Sequence, residues 1–206
     1  MKVVIFDLDG VCIKDKDEQG KFLWSKNIEK DLGITSTHMQ HLFSKDWHAP
    51  LKGLMDTRQY FSSIFAKLHI DLSVHTFIDY WLEHDWNINT DVFGELQTIK
   101  NRALLCPQKR SNITLCLGTN QDTYRAHFIR TKIGTLFDAL FFSCDLGAMK
   151  PETEFYKHIE SKLGVEPHHI AFIDDSKAHV EAATRAGWIS HQYQNIDDLK
   201  NFLGEL

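Results

Sequence analysis

The chain has 206 residues and a formal net charge of −5 at pH 7, and 43% of its residues are hydrophobic, enough for one well-packed domain with a small insert. The mildly acidic balance argues against a nucleic-acid partner bound through bulk charge. No apolar run approaches the length of a membrane span, and the short apolar start is broken by Asp7, which is unlike a signal peptide. The cysteines at positions 12, 106, 116 and 144 have no paired spacing, so we expect reduced thiols in a cytoplasmic protein.

The first apolar run covers residues 3–6 and predicts a buried strand. Asp7 and Asp9 follow it directly, at the carboxyl end where open α/β sheets place their chemistry. Gly10 then allows a sharp turn. Two carboxylates this close repel each other unless a cation lies between them, and Mg²⁺ is the usual solution. The alternative is a strand that simply ends in an acidic turn.

Residues 15–90 show helical periodicity and few strand signals. They contain four of the five tryptophans, which we expect to form a core within this segment rather than a platform for substrate. The predicted helices lie near residues 25–32, 36–45, 57–69 and 73–85. A further helix near Val92–Leu105 returns the chain to the main fold.

The second half of the chain alternates strands with helices, which predicts a parallel sheet with helices on both faces. The predicted strands are 113–118, 139–143, 170–173 and a short one near 188–191. The predicted helices are 121–133, 152–163, 176–186 and 196–203.

Polar residues follow three of these strands. Thr119 and Asn120 can hold a phosphate oxygen or cap a helix. Lys150, with Pro151 predicted at a first helical position, can pair with a carboxylate or a phosphate or can remain a surface lysine. Asp174 and Asp175 can bind a metal or cap the next helix. Together with the first acidic pair, these residues predict one site at the carboxyl edge of the sheet.

Four segments resemble the motifs of the haloacid dehalogenase-like hydrolase superfamily. They are DLDGV at residues 7–11, TN at 119–120, KPETEFY at 150–156, and FIDDS at 172–176 running through VEAA at 180–183 to Gly187. The resemblance implies an α/β fold with a Rossmann-like parallel sheet, helices on both faces, and a small α-helical cap domain. By this resemblance, the core domain comprises residues 1–14 and 90–206, and the cap domain comprises residues 15–89.

The family's phosphatase branch implies a role for each matching residue. Asp7 is the nucleophile that forms an aspartyl-phosphate, and Asp9 is the general acid and base, whose backbone carbonyl also binds the metal. Lys150 neutralises charge on Asp7 and the phosphate.

The same resemblance assigns the phosphate and metal ligands. Thr119 and Asn120 bind phosphoryl oxygens together with Lys150. Asp174 and Asp175 hold Mg²⁺, one of them directly and the other directly or through water, and the sequence leaves open which does which. Gly118 stands where many relatives have a larger residue.

Asp9 separates phosphatases from the dehalogenase branch, in which this position is not aspartate and no Mg²⁺ is needed. The resemblance therefore predicts a Mg²⁺-dependent phosphatase of small phosphorylated metabolites, similar to bacterial sugar phosphatases and to the N-terminal domain of soluble epoxide hydrolases. A sugar-phosphate mutase and a catalytically idle binding module of the same fold are the alternatives. The expected partner is a small molecule, not nucleic acid or a membrane, and the chain is expected to be a monomer or a small homo-oligomer.

Overall fold

Five parallel strands form the centre of the fold. The computed structural model describes residues 2–105 and 113–206. The strands are β1 (Lys2–Phe6), β2 (Ile113–Thr119), β3 (Ala139–Phe142), β4 (Ile170–Asp174) and β5 (Ile189–Gln192). Their order in the sheet is β3-β2-β1-β4-β5. β1 is central, with Val4 opposite Leu115 on one side and Ala171 on the other.

Helices occupy both the sheet connections and the long segment after β1. The helices between β1 and β2 are α1 (Ile28–Leu32), α2 (Ser36–Leu42), α3 (His48–Leu51), α4 (Thr57–Lys67), α5 (Val74–His84) and α6 (Thr90–Leu105). Those that follow are α7 (Thr123–Ile133), α8 (Ser143–Leu146), α9 (Thr153–Leu163), α10 (Lys177–Arg185) and α11 (Ile196–Glu205). None of the described helices is both long and apolar enough to cross a lipid bilayer.

Both faces of the sheet are covered, as the sequence predicts for a parallel sheet. Successive side chains of a strand point to opposite faces, and β1 accordingly contributes to two buried clusters. Val4 and Phe6 pack in a cluster completed by α6, α7 and α11. Val3 and Ile5 pack in a second cluster, completed by α9 and α10.

Most predicted elements match the observed ones within a few residues, but the start of α9 does not. The prediction of Pro151 at its first helical position is wrong, because α9 begins at Thr153 with Glu152 as its N-cap. The Asn120 side chain holds the main chain of Lys150, and a residue before proline avoids the helical region. The short helices α3 and α8 were not predicted.

The segment between β1 and α6 has an apolar core of its own. It contains Trp24, Trp47 and Trp81, each at most 8% exposed, as expected for three of the four tryptophans of this segment. For Trp86 the expectation is wrong, because this side chain packs against the cluster of Val4 and Phe6. Trp47 stacks on Phe61 with ring centroids 5.0 Å apart. We call residues 15–89 the helical insert.

Two adjacent chain segments join the helical insert to the sheet. Ile13 forms an isolated antiparallel bridge with Ile88. The amide of Asn89 donates to the carbonyl of Cys12 over 2.9 Å, and that of Lys14 donates to Asn87 over 2.8 Å. The insert therefore leaves and returns to the sheet at a single place.

The cysteines that the structure describes are free thiols, as predicted: Cys12, Cys116 and Cys144. Cys106 lies outside the described residues.

Candidate active site

The carboxyl ends of β1 and β4 bring two aspartates to one buried lysine. Lys150 Nζ lies 2.8 Å from Asp7 Oδ1 and 2.6 Å from Asp174 Oδ2. Lys150 is 1% exposed and Asp174 is fully buried. The amide of Leu8 also donates to Asp7 Oδ1 over 2.7 Å. Residues that are far apart in the sequence thus form one charged group, as predicted from the strand ends.

The pKa values in this group move in different directions. Burial raises the pKa of Asp7, the Asp174 carboxylate raises it further, and Lys150 opposes both. Burial also acts to raise the pKa of Asp174, but Lys150 and His179 outweigh it and hold this pKa below its usual range. Burial alone would lower the pKa of Lys150, yet Asp174 and Asp7 raise it, so the lysine stays charged.

The Asp7 and Asp174 carboxylates also form the only group of metal-ligand type that we find in the described part of the chain. Donor atoms of Asp7, Asp174 and His179 all lie within 4.8 Å of one another. His179 Nδ1 is 3.1 Å from each Asp174 oxygen. Two buried carboxylates on one edge form an oxygen donor set that suits Mg²⁺, so the residues present fit the metal that the sequence predicts.

Asp175 lies beside the turn that follows β1. A side chain on Gly10 would place its Cβ 2.4 Å from Asp175 Cγ, and Gly10 has φ +76°. Burial raises the pKa of Asp175, and Asp174 raises it further. The glycine is therefore required both by backbone conformation and by the space that Asp175 occupies.

Thr119 and Asn120 continue β2 into the same edge. Thr119 is 1% exposed, and its hydroxyl accepts a hydrogen bond from Gln121 Nε2 over 3.0 Å. The Asn120 side chain donates to the carbonyl of Lys150 over 3.0 Å and accepts from its amide over 2.8 Å. Asn120 therefore fixes the main chain from which the catalytic lysine candidate extends.

The Asp9 side chain is held by α7 and the residues just before it. Arg125 Nη1 and Nη2 donate to its two oxygens over 2.7 and 2.6 Å, and Gln121 Nε2 donates over 2.7 Å. Burial acts to raise the pKa of Asp9, but Arg125 outweighs it and the pKa is lowered. Arg125 Nη2 also lies 2.7 Å from Asp85 Oδ2 at the end of α5. Arg125 therefore connects the sheet edge to the helical insert.

A cavity of about 320 Å³ lies between this edge and the helical insert. Aromatic side chains of the insert form much of its wall. Its polar lining comes from Asp9, Asp15, Asp85, Asn120, Gln121, Asp122 and Arg125.

Four polar residues near the site were not predicted. Gln121 directly follows the Thr119–Asn120 motif and Arg125 stands four residues after Gln121, so helical spacing could have indicated that both face one side. His179 lies five residues after Asp174, near the start of a helix. No sequence pattern indicated Asp85, because its contact with Arg125 depends on how the helical insert packs against α7.

Comparisons with known proteins agree with this architecture. A family model described as haloacid dehalogenase-like hydrolase matches residues 1–187. The chain is 25% identical over 187 residues to a phosphorylated carbohydrates phosphatase of Thermotoga maritima, covering 91% of this chain and 82% of the relative. It is 27% identical over 192 residues to β-phosphoglucomutase of Bacillus subtilis, covering 91% and 80%.

Solved structures show the same fold. A HAD family enzyme from Bacteroides thetaiotaomicron, crystallised with magnesium and inorganic phosphate, superposes with a TM-score of 0.74 at 20% identity, covering 94% of each chain. The family match extends over most of the chain and includes the acidic and basic residues at the sheet edge. The chain therefore belongs to the haloacid dehalogenase-like hydrolase family.

Proposed function

We propose that this hydrolase is a Mg²⁺-dependent phosphatase of small phosphomonoesters. The observation that carries the proposal is the buried Asp7–Lys150–Asp174 group beside a cavity lined by Asp9. Attack on a phosphomonoester requires its negative charge to be neutralised, and a charged lysine between two carboxylates can contribute to this. Asp9 distinguishes the site from metal-free dehalogenase chemistry, which needs no acid for an alkoxide leaving group.

The proposed reaction has two steps. In the first, an Asp7 carboxylate oxygen forms a bond to phosphorus, the bond to the ester oxygen breaks, and the protonated carboxyl of Asp9 gives its proton to that oxygen. In the second, the Asp9 carboxylate accepts a proton from water as the water oxygen attacks phosphorus. The bond between phosphorus and Asp7 then breaks, which releases inorganic phosphate and restores both carboxyl groups.

The remaining site residues bind charge. Thr119, the Asn120 amide and Lys150 would hold phosphoryl oxygens. The carboxylates of Asp7 and Asp174, with Asp175 and the backbone carbonyl of Asp9, would hold Mg²⁺. When bound, the metal supplies Lewis-acid stabilisation of the negative charge that develops on the phosphoryl group.

The helical insert serves in this proposal as a cap domain, residues 15–89, over a core of residues 1–14 and 90–206. The two adjacent connections at Ile13 and Ile88 supply a hinge. A cap that covers the site favours small substrates, because a macromolecule would be blocked. The phosphorylated carbohydrates phosphatase of Thermotoga maritima supports a small phosphorylated substrate.

A phosphomutase is the second candidate, and the similarity to β-phosphoglucomutase favours it. The two reactions share the Asp7 step and differ in the acceptor of the phosphoryl group. A phosphatase transfers it to water, whereas a mutase returns it to a sugar hydroxyl.

A screen of phosphorylated metabolites with Mg²⁺ tests the proposal. We expect release of inorganic phosphate from at least one ester and its loss by several orders of magnitude in Asp7→Asn, with an unchanged circular dichroism spectrum. Asp145→Asn, at an exposed position in α8, is the matched control. Isomerised sugar phosphate without phosphate release would identify a mutase, and parental turnover in Asp7→Asn would reject the mechanism.

A further inference from the structure

The side chains that line the cavity beside Asp9 bear on the substrate that the proposed phosphatase would accept. Five aromatic rings of the helical insert line it: Phe22, Trp24, Phe43, Trp47 and Trp81. The faces of tryptophan and phenylalanine rings attract cations, most strongly where water is excluded. Arg125 shows this in the structure, since its guanidinium carbon lies 5.8 Å from the Trp81 ring centroid.

The polar part of the cavity carries excess negative charge. Four carboxyl groups line it, those of Asp9, Asp15, Asp85 and Asp122, and the lining contains one cation, the guanidinium of Arg125. Asp15 also pairs with Lys16, whose Nζ lies 3.3 Å from Asp15 Oδ2, so the four carboxyl groups meet two positive charges. Arg125 is itself shared between Asp9 and Asp85. A second phosphate or a carboxylate on the substrate would meet repulsion here, whereas a cation would be attracted.

Two of these carboxyl groups each have an oxygen without a hydrogen-bond partner among the described residues. Asp85 and Asp122 are 5% and 0% exposed, and the atoms concerned are Asp85 Oδ1 and Asp122 Oδ2. The other oxygen of Asp85, Oδ2, pairs with Arg125. The other oxygen of Asp122, Oδ1, accepts a hydrogen bond from the Thr57 hydroxyl over 2.8 Å. Buried carboxylate oxygens are rarely left unpaired in native proteins.

Burial raises the pKa values of the same two carboxyl groups. Burial raises the pKa of Asp85 to about 7, although Arg125 opposes the rise. Burial also raises the pKa of Asp122. A positive charge placed in the cavity would favour the ionised form of both groups.

We propose that the cavity binds a cationic nitrogen on the leaving group, so that the substrates are phosphomonoesters of amino alcohols. The aromatic rings would surround the cation, and the carboxylates of Asp9, Asp15, Asp85 and Asp122 would attract its charge. A neutral polyol could donate hydrogen bonds to accessible carboxylate oxygens but would leave the excess charge uncompensated. This inference rests on the proposed phosphatase function for the position of the phosphate, but binding of the cation can be measured without turnover.

The first test uses the leaving groups alone, titrated into the whole protein by calorimetry and by tryptophan fluorescence. Ethanolamine is compared with ethylene glycol, and choline with 3,3-dimethyl-1-butanol, which are neutral molecules of matched shape. We expect at least one cation to bind about ten-fold more tightly than its neutral partner, a difference of about 1.4 kcal/mol. Ethanolamine is favoured if N–H donation to the carboxylates dominates, and choline if the aromatic rings dominate.

The variants Asp85→Asn and Asp122→Asn provide the second test. Asparagine keeps the size of the side chain, and at position 122 it can still cap α7. We expect either change to reduce the preference for the cation to less than about three-fold. Asp145→Asn makes the same change on an exposed side chain outside the cavity and should keep the full preference. The comparison of cation with neutral molecule in the parent protein needs no variant, so a folding defect would not prevent a decision.

Equal affinity for a cation and its neutral partner, or binding of neither, would overturn the inference, as would tighter binding of glucose than of either amine. A third measurement compares kcat/KM for phosphoethanolamine and phosphocholine with that for glycerol 3-phosphate. Turnover of glycerol 3-phosphate with no preference for the amines would leave the proposed phosphatase intact and reject the cationic pocket. Selective cation binding without turnover of any ester would support the pocket and reject the phosphatase.

Discussion

Arg125 donates a hydrogen bond to each carboxylate oxygen of Asp9, from Nη1 to Oδ2 over 2.7 Å and from Nη2 to Oδ1 over 2.6 Å. This bidentate pair keeps Asp9 ionised and turned toward α7. A general acid must carry a proton and reach the ester oxygen, so the proposed mechanism requires Asp9 to leave Arg125 when substrate binds. Because Arg125 also pairs with Asp85 of the helical insert, movement of the insert and release of Asp9 can be linked.

The first prediction concerns the stability of this network. Arg125→Met leaves the Asp9 and Asp85 carboxylates without their shared cation, and breaking a buried pair in this way costs about 3–5 kcal/mol. We expect that loss in the free energy of unfolding, measured by urea denaturation. Arg125→Met combined with Asp85→Asn should recover part of it, since one of the two uncompensated charges is then removed. Full additivity of the two single changes would show that the residues are not coupled.

The second prediction compares glycine-to-alanine changes at two positions, one with no room for a methyl group and one with open space around it. A Cβ at Gly118 would lie 2.8 Å from Ile5 Cγ2, inside the buried cluster beneath α9, whereas nothing lies within 4 Å of a Cβ at Gly94. Gly118→Ala should therefore destabilise the protein by about 1–3 kcal/mol. Gly94→Ala, in α6, should stabilise it by roughly 0.5–1 kcal/mol.

Urea denaturation of both glycine variants provides the measurement. Equal effects of the two changes would contradict the packing argument. The close contact with Ile5 also gives a physical reason for glycine at position 118.

The strand ends could be predicted from the sequence because each depends on local information. An apolar run followed by acids defines β1 and β4, and parallel order brings Asp7, Asp174 and the lysine after β3 to one edge. The partners of Asp9 could not be predicted in this way. The Arg125–Asp85 contact depends on how the helical insert packs against α7, and neither periodicity nor spacing encodes that packing.

The third prediction concerns the metal and separates the two acids at the end of β4. Asp174 lies with Asp7 in the group of ligand atoms, whereas Asp175 lies beside Gly10. Asp174→Asn should weaken Mg²⁺ binding by at least about 100-fold, and Asp175→Asn by about ten-fold, the scale of a supporting residue. Calorimetry with Mg²⁺ in the absence of substrate measures both.

The activity should follow the same metal. Chelation should stop phosphate release and added Mg²⁺ should restore it, while Ca²⁺ should inhibit because its coordination is larger and less regular. Full activity in excess chelator would point instead to metal-free dehalogenase chemistry.

The fourth prediction separates acid catalysis from nucleophilic catalysis. A sugar phosphate leaves as a poor, alkoxide-like group and needs a proton, whereas an aryl phosphate leaves with its charge delocalised. Asp9→Asn should therefore slow the first chemical step for a sugar phosphate far more than for an aryl phosphate. Steady-state rates can hide the difference, because Asp9 also activates water for hydrolysis of the aspartyl-phosphate.

The pre-steady-state burst of leaving group resolves the two steps. We expect Asp9→Asn to keep the burst with the aryl ester and to lose it with the sugar ester, while Asp7→Asn loses both. Because the neutral amide of the Asp9→Asn variant could no longer form the ion pair with Arg125, urea denaturation must accompany the kinetics to show that the variant is folded. Equal loss of both bursts in a folded Asp9→Asn variant with unchanged Mg²⁺ affinity would mean that Asp9 is not the acid. Its bond to Arg125 would then be its main contribution, holding the sheet edge to α7 rather than delivering a proton.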